Sequence, residues 1–62
     1  MREVKLDCLA WRTIFTYRGT KYEKSCTFQA GKVKCHPVLG GQVQREIDDW
    51  LPLDAMVTVS NQ

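Results

Sequence analysis

The stretch LAWRTIFTYRGTKYEKSCTF, residues Leu9 to Phe28, decides the fold because it predicts a β-hairpin. Arg18-Gly19 would form its two-residue turn. The cross-strand pairs expected from that turn are Phe15–Tyr22, Thr13–Lys24, Trp11–Cys26 and Leu9–Phe28. Because side chains alternate along a strand, one face of the hairpin is apolar and the other is polar and mostly basic. A four-residue loop would change these pairs but would leave the same residues on each face.

Length and composition predict one small folded domain, residues 1–62. A chain of 62 residues buries only about 60% of its unfolded surface, so we expect marginal stability. Its 44% hydrophobic and 26% charged residues argue against a wholly disordered chain. A disulfide, oligomerisation or partner binding could supply further stabilisation.

The cysteine count and the hydropathy pattern predict a cytoplasmic protein with no membrane partner. No apolar run approaches the roughly 18 residues that cross a bilayer. Charged residues interrupt the N-terminal stretch, which is not the pattern of a signal peptide. Three cysteines without a CxxC pair are typical of reduced intracellular thiols rather than of a disulfide framework.

Formal charge is unevenly distributed along the chain. Residues 8–36 contain six basic residues and one acidic residue, whereas residues 37–62 contain one basic residue and four acidic ones. We therefore expect a bipolar molecule, with a basic hairpin and an acidic C-terminal part.

A change in the phase of the apolar residues at Cys8-Leu9 predicts a β-bulge there, since one extra residue would keep both halves of the strand facing the core.

Beyond the hairpin, Ala30-Gly31 predicts a second tight turn and residues 32–36 a third strand. That strand would place Cys35 beside Cys26. The pair could form a disulfide if its geometry allowed, although free thiols are favoured in the cytoplasm.

The region after Gly40-Gly41 predicts a helix that ends at Pro52. Its apolar residues recur at helical spacing, and polar residues take the other side. The apolar stripe consists of Val43, Ile47, Trp50 and Leu51. Alternation in AMVTVS, residues 55–60, predicts a final strand. The expected fold class is α+β in the order β-β-β-α-β, a mainly antiparallel sheet of three to four strands with the helix packed on one face.

Residues with catalytic or ligand chemistry do not form a recognisable site. Cys35 and His36 are neighbours in a predicted strand, so their side chains point to opposite faces and cannot act together. Cys8, Cys26, Cys35 and His36 lack the close ligand pairs of a zinc site. We therefore expect neither catalysis nor a metal or other cofactor.

The basic face of the hairpin is one candidate binding surface, with nucleic acid as its ligand. Its members are Arg12, Arg18, Lys21, Lys34 and His36. The aromatic side chains alternate onto the opposite face, which predicts core packing rather than base stacking. Three strands followed by a helix resemble the arm-type DNA-binding domains of phage integrases. The resemblance covers Trp11 to Phe28, and here a strand and a Gly-Gly break intervene before the helix.

The acidic face of the helix is a second candidate, with another protein as its ligand. Asp48 and Asp49 fall in the last turn, where carboxylates oppose the helix dipole, so a binding role would explain their presence. Arg45 lies one turn earlier and could instead compensate them. The predicted protein-binding residues are therefore Arg45, Asp48 and Asp49.

An exposed sheet edge, such as residues 55–59 or the Met1 end, is a third candidate, which could pair with a partner's strand or, as a homodimer, with a second copy. The leading hypothesis is a non-catalytic binding protein that regulates or inhibits another protein through the helix or an edge. Its size is in the style of small regulators encoded by phages and mobile elements. The alternative hypothesis is nucleic-acid binding through the basic face.

Overall fold

The computed structural model describes residues 1–60 and folds them into a seven-stranded sheet. The strands are β1 (Arg2–Lys5), β2 (Ile14–Tyr17), β3 (Thr20–Gln29), β4 (Lys32–Leu39), β5 (Gln42–Val43), β6 (Asp49–Pro52) and β7 (Met56–Val59). One short 3₁₀ turn, Leu6–Cys8, follows β1. Within residues 1–60, no helix is long and apolar enough to span a membrane.

The strands run in the order β1-β7-β2-β3-β4-β5, and β6 pairs with β4. Every pairing is antiparallel. The final strand, whose place the sequence left open, lies between β1 and β2, so the prediction of residues 55–59 as an exposed edge was wrong. Leu6 N donates to Ala55 O at 2.9 Å and Asp7 N to Leu53 O at 3.0 Å. The first bond extends the β1–β7 ladder by one pair, and the second joins the 3₁₀ turn to the segment that follows β6.

The predicted hairpin turns are confirmed. Phe15 pairs with Tyr22 across the Arg18-Gly19 turn, and Phe28 pairs with Val33 across Ala30-Gly31. Both residues of each turn have positive φ, as a two-residue type I′ turn requires. Gly40-Gly41 forms a third turn of this kind, with φ of 58° and 79°. The chain therefore reverses there from β4 into β5, where the sequence predicted a break before a helix.

The core is smaller than the predicted apolar face. Its buried apolar members are Leu6, Phe15, Val33, Cys35, Val57 and Val59. Trp11 and Phe28, which the hairpin register placed on this face, are 59% and 56% exposed. The ladder contains two irregularities; the first accounts for the exposure of Trp11, whereas Phe28 still pairs with Val33 and so stays on the core side of the sheet.

The first irregularity is a β-bulge at Arg12-Thr13. Arg12 N donates to Lys24 O at 2.9 Å, and Lys24 N donates to Thr13 O at 3.0 Å, so both residues oppose Lys24. Arg12 has a φ of 70°, in the left-handed position that glycine usually occupies in such bulges. The bulge was predicted near Cys8-Leu9, and that location was wrong, because the 3₁₀ turn absorbs the phase change there.

The second irregularity lies in β3. The register shifts between Lys24, which pairs with Cys35, and Phe28, so residues 25–27 all oppose Lys34. Ser25 Oγ fills the gap by donating to Lys34 O at 2.8 Å. Cys26 is consequently not opposite Cys35. Cys26 is exposed, Cys35 is buried, and all three cysteines are free.

The predicted helix was wrong, and so was the α+β class: the described chain is nearly all antiparallel sheet. Residues 42–43 pair with β4, and residues 49–52 pair with it further along. An isolated helix of about ten residues has marginal stability, and the segment predicted to be helical contains several β-branched and aromatic residues of low helix propensity. Pairing with β4 instead satisfies backbone groups along Lys32–Cys35. The helix in the resemblance to integrase DNA-binding domains is therefore absent from residues 1–60.

Candidate binding surfaces

The two predicted surfaces meet on one face of the sheet. Because Phe15, Cys35 and Val57 face the core, their strand neighbours face the other way, onto what we call the outer face. Its members are Ile14, Thr16, Lys21, Glu23, Lys34, His36, Trp50 and Thr58. Residues 44–48, part of the predicted acidic helix, lie against this face, since His36 Nδ1–H donates to Ile47 O at 2.9 Å.

Asp48 lies against two residues of the predicted basic surface. Its Oδ1 lies 3.6 Å from His36 Nδ1, and its Oδ2 lies 3.9 Å from Lys34 Nζ. The same Lys34 ammonium lies 5.8 Å from the centroid of the Trp50 ring. Two of the five residues proposed for nucleic-acid contact are therefore engaged with a residue proposed for protein contact.

Arg45 is also engaged on this face. Its Nη2 donates to both carboxylate oxygens of Glu23 at 3.1 Å. Asp49 lies elsewhere: it pairs with Cys35 in the ladder and so faces the core side of the sheet. Arg45, Asp48 and Asp49 thus do not form the single acidic face that a helix would have made.

Two of the other basic residues, Arg12 and Arg18, each lie beside an aromatic ring. The Arg12 guanidinium carbon lies 4.6 Å from the centroid of the Trp11 ring, and that of Arg18 lies 5.3 Å from the Tyr17 ring. Lys21 is exposed opposite Thr16. Sequence reasoning missed the Trp11–Arg12 pair because regular alternation placed Trp11 in the core; a bulge signal at Arg12 would have been needed to find it.

Lys24 is a buried cation that the sequence did not single out. It is 4% exposed, and its ammonium donates to Leu6 O at 3.0 Å and to Leu9 O at 2.5 Å. Buried charges require such partners. Lys24 therefore has a structural role: its hydrogen bonds connect the 3₁₀ turn and the following loop to the centre of the sheet.

Groups with catalytic chemistry are not brought together. Cys35 is buried in the core, and burial raises the pKa of its thiol to about 11. A thiol in that state is a poor nucleophile at neutral pH. His36 lies on the outer face, as alternation predicted. Within residues 1–60, no group of three or more His, Cys, Asp or Glu side chains is arranged to hold a metal ion.

The outer edge of β1 is an unpaired strand edge. Within residues 1–60, β1 pairs only with β7. Leu6 N donates to Ala55 O, on the β7 side, and backbone groups alternate in direction along an antiparallel strand. The groups of Val4 therefore point toward β7, and those of Glu3 and Lys5 point outward. An open depression of about 440 Å³, lined by Met1, Arg2, Glu3 and Thr58, lies over β1 and its paired neighbour β7.

Comparisons with protein-family models, curated proteins and solved structures find no match for this chain. Its function therefore has to be inferred from its own surfaces.

Proposed function

We propose that this protein is a small non-catalytic binding protein that regulates or inhibits another protein by adding a strand of that partner to the edge of β1. The observation that carries the proposal is the outward N–H and C=O groups of Glu3 and Lys5 on an accessible edge. Extended peptides bind such edges through main-chain hydrogen bonds. A protein of this size could act by occupying a segment that its partner needs.

The other long edge, that of β6, is less suited to this role. Leu53 N donates to Gly31 O at 3.1 Å, so alternation directs the backbone groups of Trp50 and Pro52 outward. Pro52 has no N–H to donate, and proline is a common guard of exposed edges. The edge of β1 offers two outward donors where that of β6 offers one.

Lys5→Pro is a direct test, because it removes one outward N–H without a cost to the fold. Lys5 has φ of −71° and ψ of 141°, values that proline adopts readily. Its N–H points away from β7, so no ladder bond is lost. Lys5→Ala is the matched control, since it removes the same side chain and keeps the N–H.

The experiment is affinity capture from a lysate of the source organism with the wild type and both variants. A protein retained by the wild type and by Lys5→Ala, and lost with Lys5→Pro, supports strand addition at this edge. Equal retention by all three would refute the edge as the binding surface. If the wild type retained no protein, the proposed function would be wrong.

Nucleic-acid binding is a second candidate, and the observation that favours it is the exposed Trp11 ring beside the Arg12 guanidinium. An exposed aromatic ring next to a cation is the arrangement on which single-stranded bases stack. Arg12 is held in a left-handed conformation, a kind of strain that clusters at functional sites. This site uses Arg12 of the predicted basic surface, whose Lys34 and His36 lie near Asp48.

Fluorescence anisotropy of labelled single- and double-stranded oligonucleotides tests this candidate at low and physiological salt. Micromolar binding that falls steeply with salt is the expected result. Arg12→Gly should weaken it, and glycine suits the positive φ, so folding is protected. Glu46→Gln provides a charge-changing control elsewhere on the surface. Absence of binding at low salt would exclude this function.

A further inference from the structure

We propose that the edge of β1 also pairs with β1 of a second copy of this chain, antiparallel and centred on Val4, so that Glu3 lies opposite Lys5 of the second copy. This inference rests on the edge used in the proposed function, and it names a second occupant of that edge. Pairing β1 with itself gives a symmetric contact, the commonest arrangement of homodimers.

The direction of the backbone groups limits the registers in which two β1 strands can meet. Outward-pointing residues must pair with outward-pointing residues, because only they exchange hydrogen bonds across the new interface. Glu3 and Lys5 are such residues. A two-fold axis can therefore pass through Glu3, Val4 or Lys5.

Charge selects among these three registers. An axis at Glu3 places two glutamates opposite each other, and an axis at Lys5 places two lysines opposite each other; like charges directly opposite are destabilising. An axis at Val4 pairs each Glu3 with Lys5 of the other copy. It forms four backbone hydrogen bonds and two ion pairs, and it places the two Val4 side chains side by side.

Features around the edge are compatible with a second strand. Met1 is 91% exposed, and Arg2, Glu3 and Lys5 along the strand are exposed as well. Val4 is half-buried toward the core side, so a neighbouring valine would extend the apolar layer. The contact is short, so we expect a modest affinity, weaker than that of interfaces which bury about 1,600 Å².

This dimer would have a consequence for partner binding. The same outward groups of Glu3 and Lys5 cannot serve a second copy and a partner's strand at once. Self-association would therefore compete with partner binding, and the monomer would be the binding form.

Charge reversal tests the register. Sedimentation equilibrium over a range of concentrations, at low salt, measures the mass of the wild type and of Glu3→Lys, Lys5→Glu and the double variant. The average mass of the wild type should rise from 7.2 kDa toward twice that value as its concentration is raised. Each single reversal creates two like-charge contacts and should weaken dimerisation by about tenfold. The double reversal restores opposite charges and should recover wild-type dimerisation within about threefold.

Three outcomes would overturn the dimer: a wild type that stays monomeric at millimolar concentration, single reversals with no effect, or a double reversal that fails to recover. Circular dichroism of each variant verifies that it is folded. The outcome for the dimer is separate from that for the proposed function. A monomeric wild type whose partner is still lost with Lys5→Pro would refute only the dimer, and a dimer that captures no partner would refute only the proposed function.

Discussion

Arg45 Nη2 lies 3.1 Å from each carboxylate oxygen of Glu23. The two residues are 22 positions apart in the chain. The side chain of Glu23 is only 11% exposed, whereas that of Arg45 is 59% exposed. The two partners are therefore desolvated to different extents: the Glu23 carboxylate has lost most of its water, and the Arg45 guanidinium has kept most of its own. Glu23 consequently depends on the ion pair to stabilise its charge more than Arg45 does.

Arg45→Ala should lower the free energy of unfolding by about 1–2 kcal/mol, because it leaves a largely buried carboxylate without its charged partner. Arg45 exposure keeps the expected loss below that of a fully buried pair. Urea denaturation followed by circular dichroism measures the change.

Glu46→Ala is the control for this prediction, since Glu46 is the exposed neighbour of Arg45. We expect it to change stability by less than about 0.5 kcal/mol. If Arg45→Ala proved equally neutral, Glu23 would be satisfied by water rather than by Arg45.

Ala30→Asn should stabilise the protein by about 0.5–1 kcal/mol. Ala30 has a φ of 52° at the first position of the β3–β4 turn, a conformation that costs alanine about 1 kcal/mol or more. Asn-Gly is the preferred pair in such turns. Thermal denaturation should show a rise in the midpoint of several degrees, as expected for a domain of this size.

Gly31→Ala provides the opposite control in the same turn. Gly31 has a φ of 77°, and a Cβ there would meet no heavy atom within 4 Å. Its expected destabilisation is therefore conformational rather than steric. A midpoint unchanged or lowered by Ala30→Asn would mean that this turn does not keep its left-handed conformation in solution.

Stability should fall as the pH rises from about 9 to about 11. Burial, the main cause, and the charge of Asp49 raise the pKa of the Cys35 thiol from its ordinary value of 9.0 to about 11, against the opposing charge of Lys24. Between these values the unfolded chain loses a proton that the folded chain keeps. Cys35 therefore contributes stability that is present below pH 9 and is lost as the pH approaches 11.

Cys35→Ala should make this decline shallower when urea midpoints are compared between pH 8 and pH 11. Burial also raises the pKa of Tyr22 above 10.0, so part of the decline should persist in the variant. An identical pH profile in both proteins would show that the Cys35 thiol ionises with its ordinary pKa in the folded state.

Local patterns in the sequence predicted two of the three tight turns and the strands β3, β4 and β7, whereas β1 and β2 were predicted as one bulged strand and β5 and β6 were missed. Arg18-Gly19 and Ala30-Gly31 each place glycine where positive φ is needed, and two residues between apolar runs leave little freedom of register. The alternation of Val57 and Val59 likewise predicted β7 and its buried side. These signals depend only on residues that are neighbours in the chain, so they can be recognised in the sequence alone.

The helix prediction failed because the decisive contact is distant in the chain. Trp50 and Leu51 have helical spacing from Val43, but their backbone pairs with Lys34 and Val33. The engagement of Asp48 with the predicted basic surface follows from that pairing and could not be predicted without it. The bulges at Arg12 and at residues 25–27 likewise interrupt the regular alternation of side chains that the sequence pattern predicted across both positions.

The two aromatic residues of the hairpin, Trp11 and Phe15, should respond differently to truncation. Regular alternation puts both in the core, so the sequence alone predicts that Trp11→Ala costs about 3–5 kcal/mol. In the structure Trp11 is 59% exposed and Phe15 is 1% exposed. We therefore expect Trp11→Ala to cost less than about 1 kcal/mol, and Phe15→Ala to cost about 3–5 kcal/mol and to unfold a marginal domain.

Urea denaturation of both variants, followed by far-UV circular dichroism, distinguishes these expectations. Phe15→Leu keeps most of the buried volume and should remain folded, which gives a measurable value at that position if Phe15→Ala does not fold. A loss of several kcal/mol in Trp11→Ala would place the Trp11 ring in the core. It would also remove the exposed aromatic ring on which the nucleic-acid candidate depends.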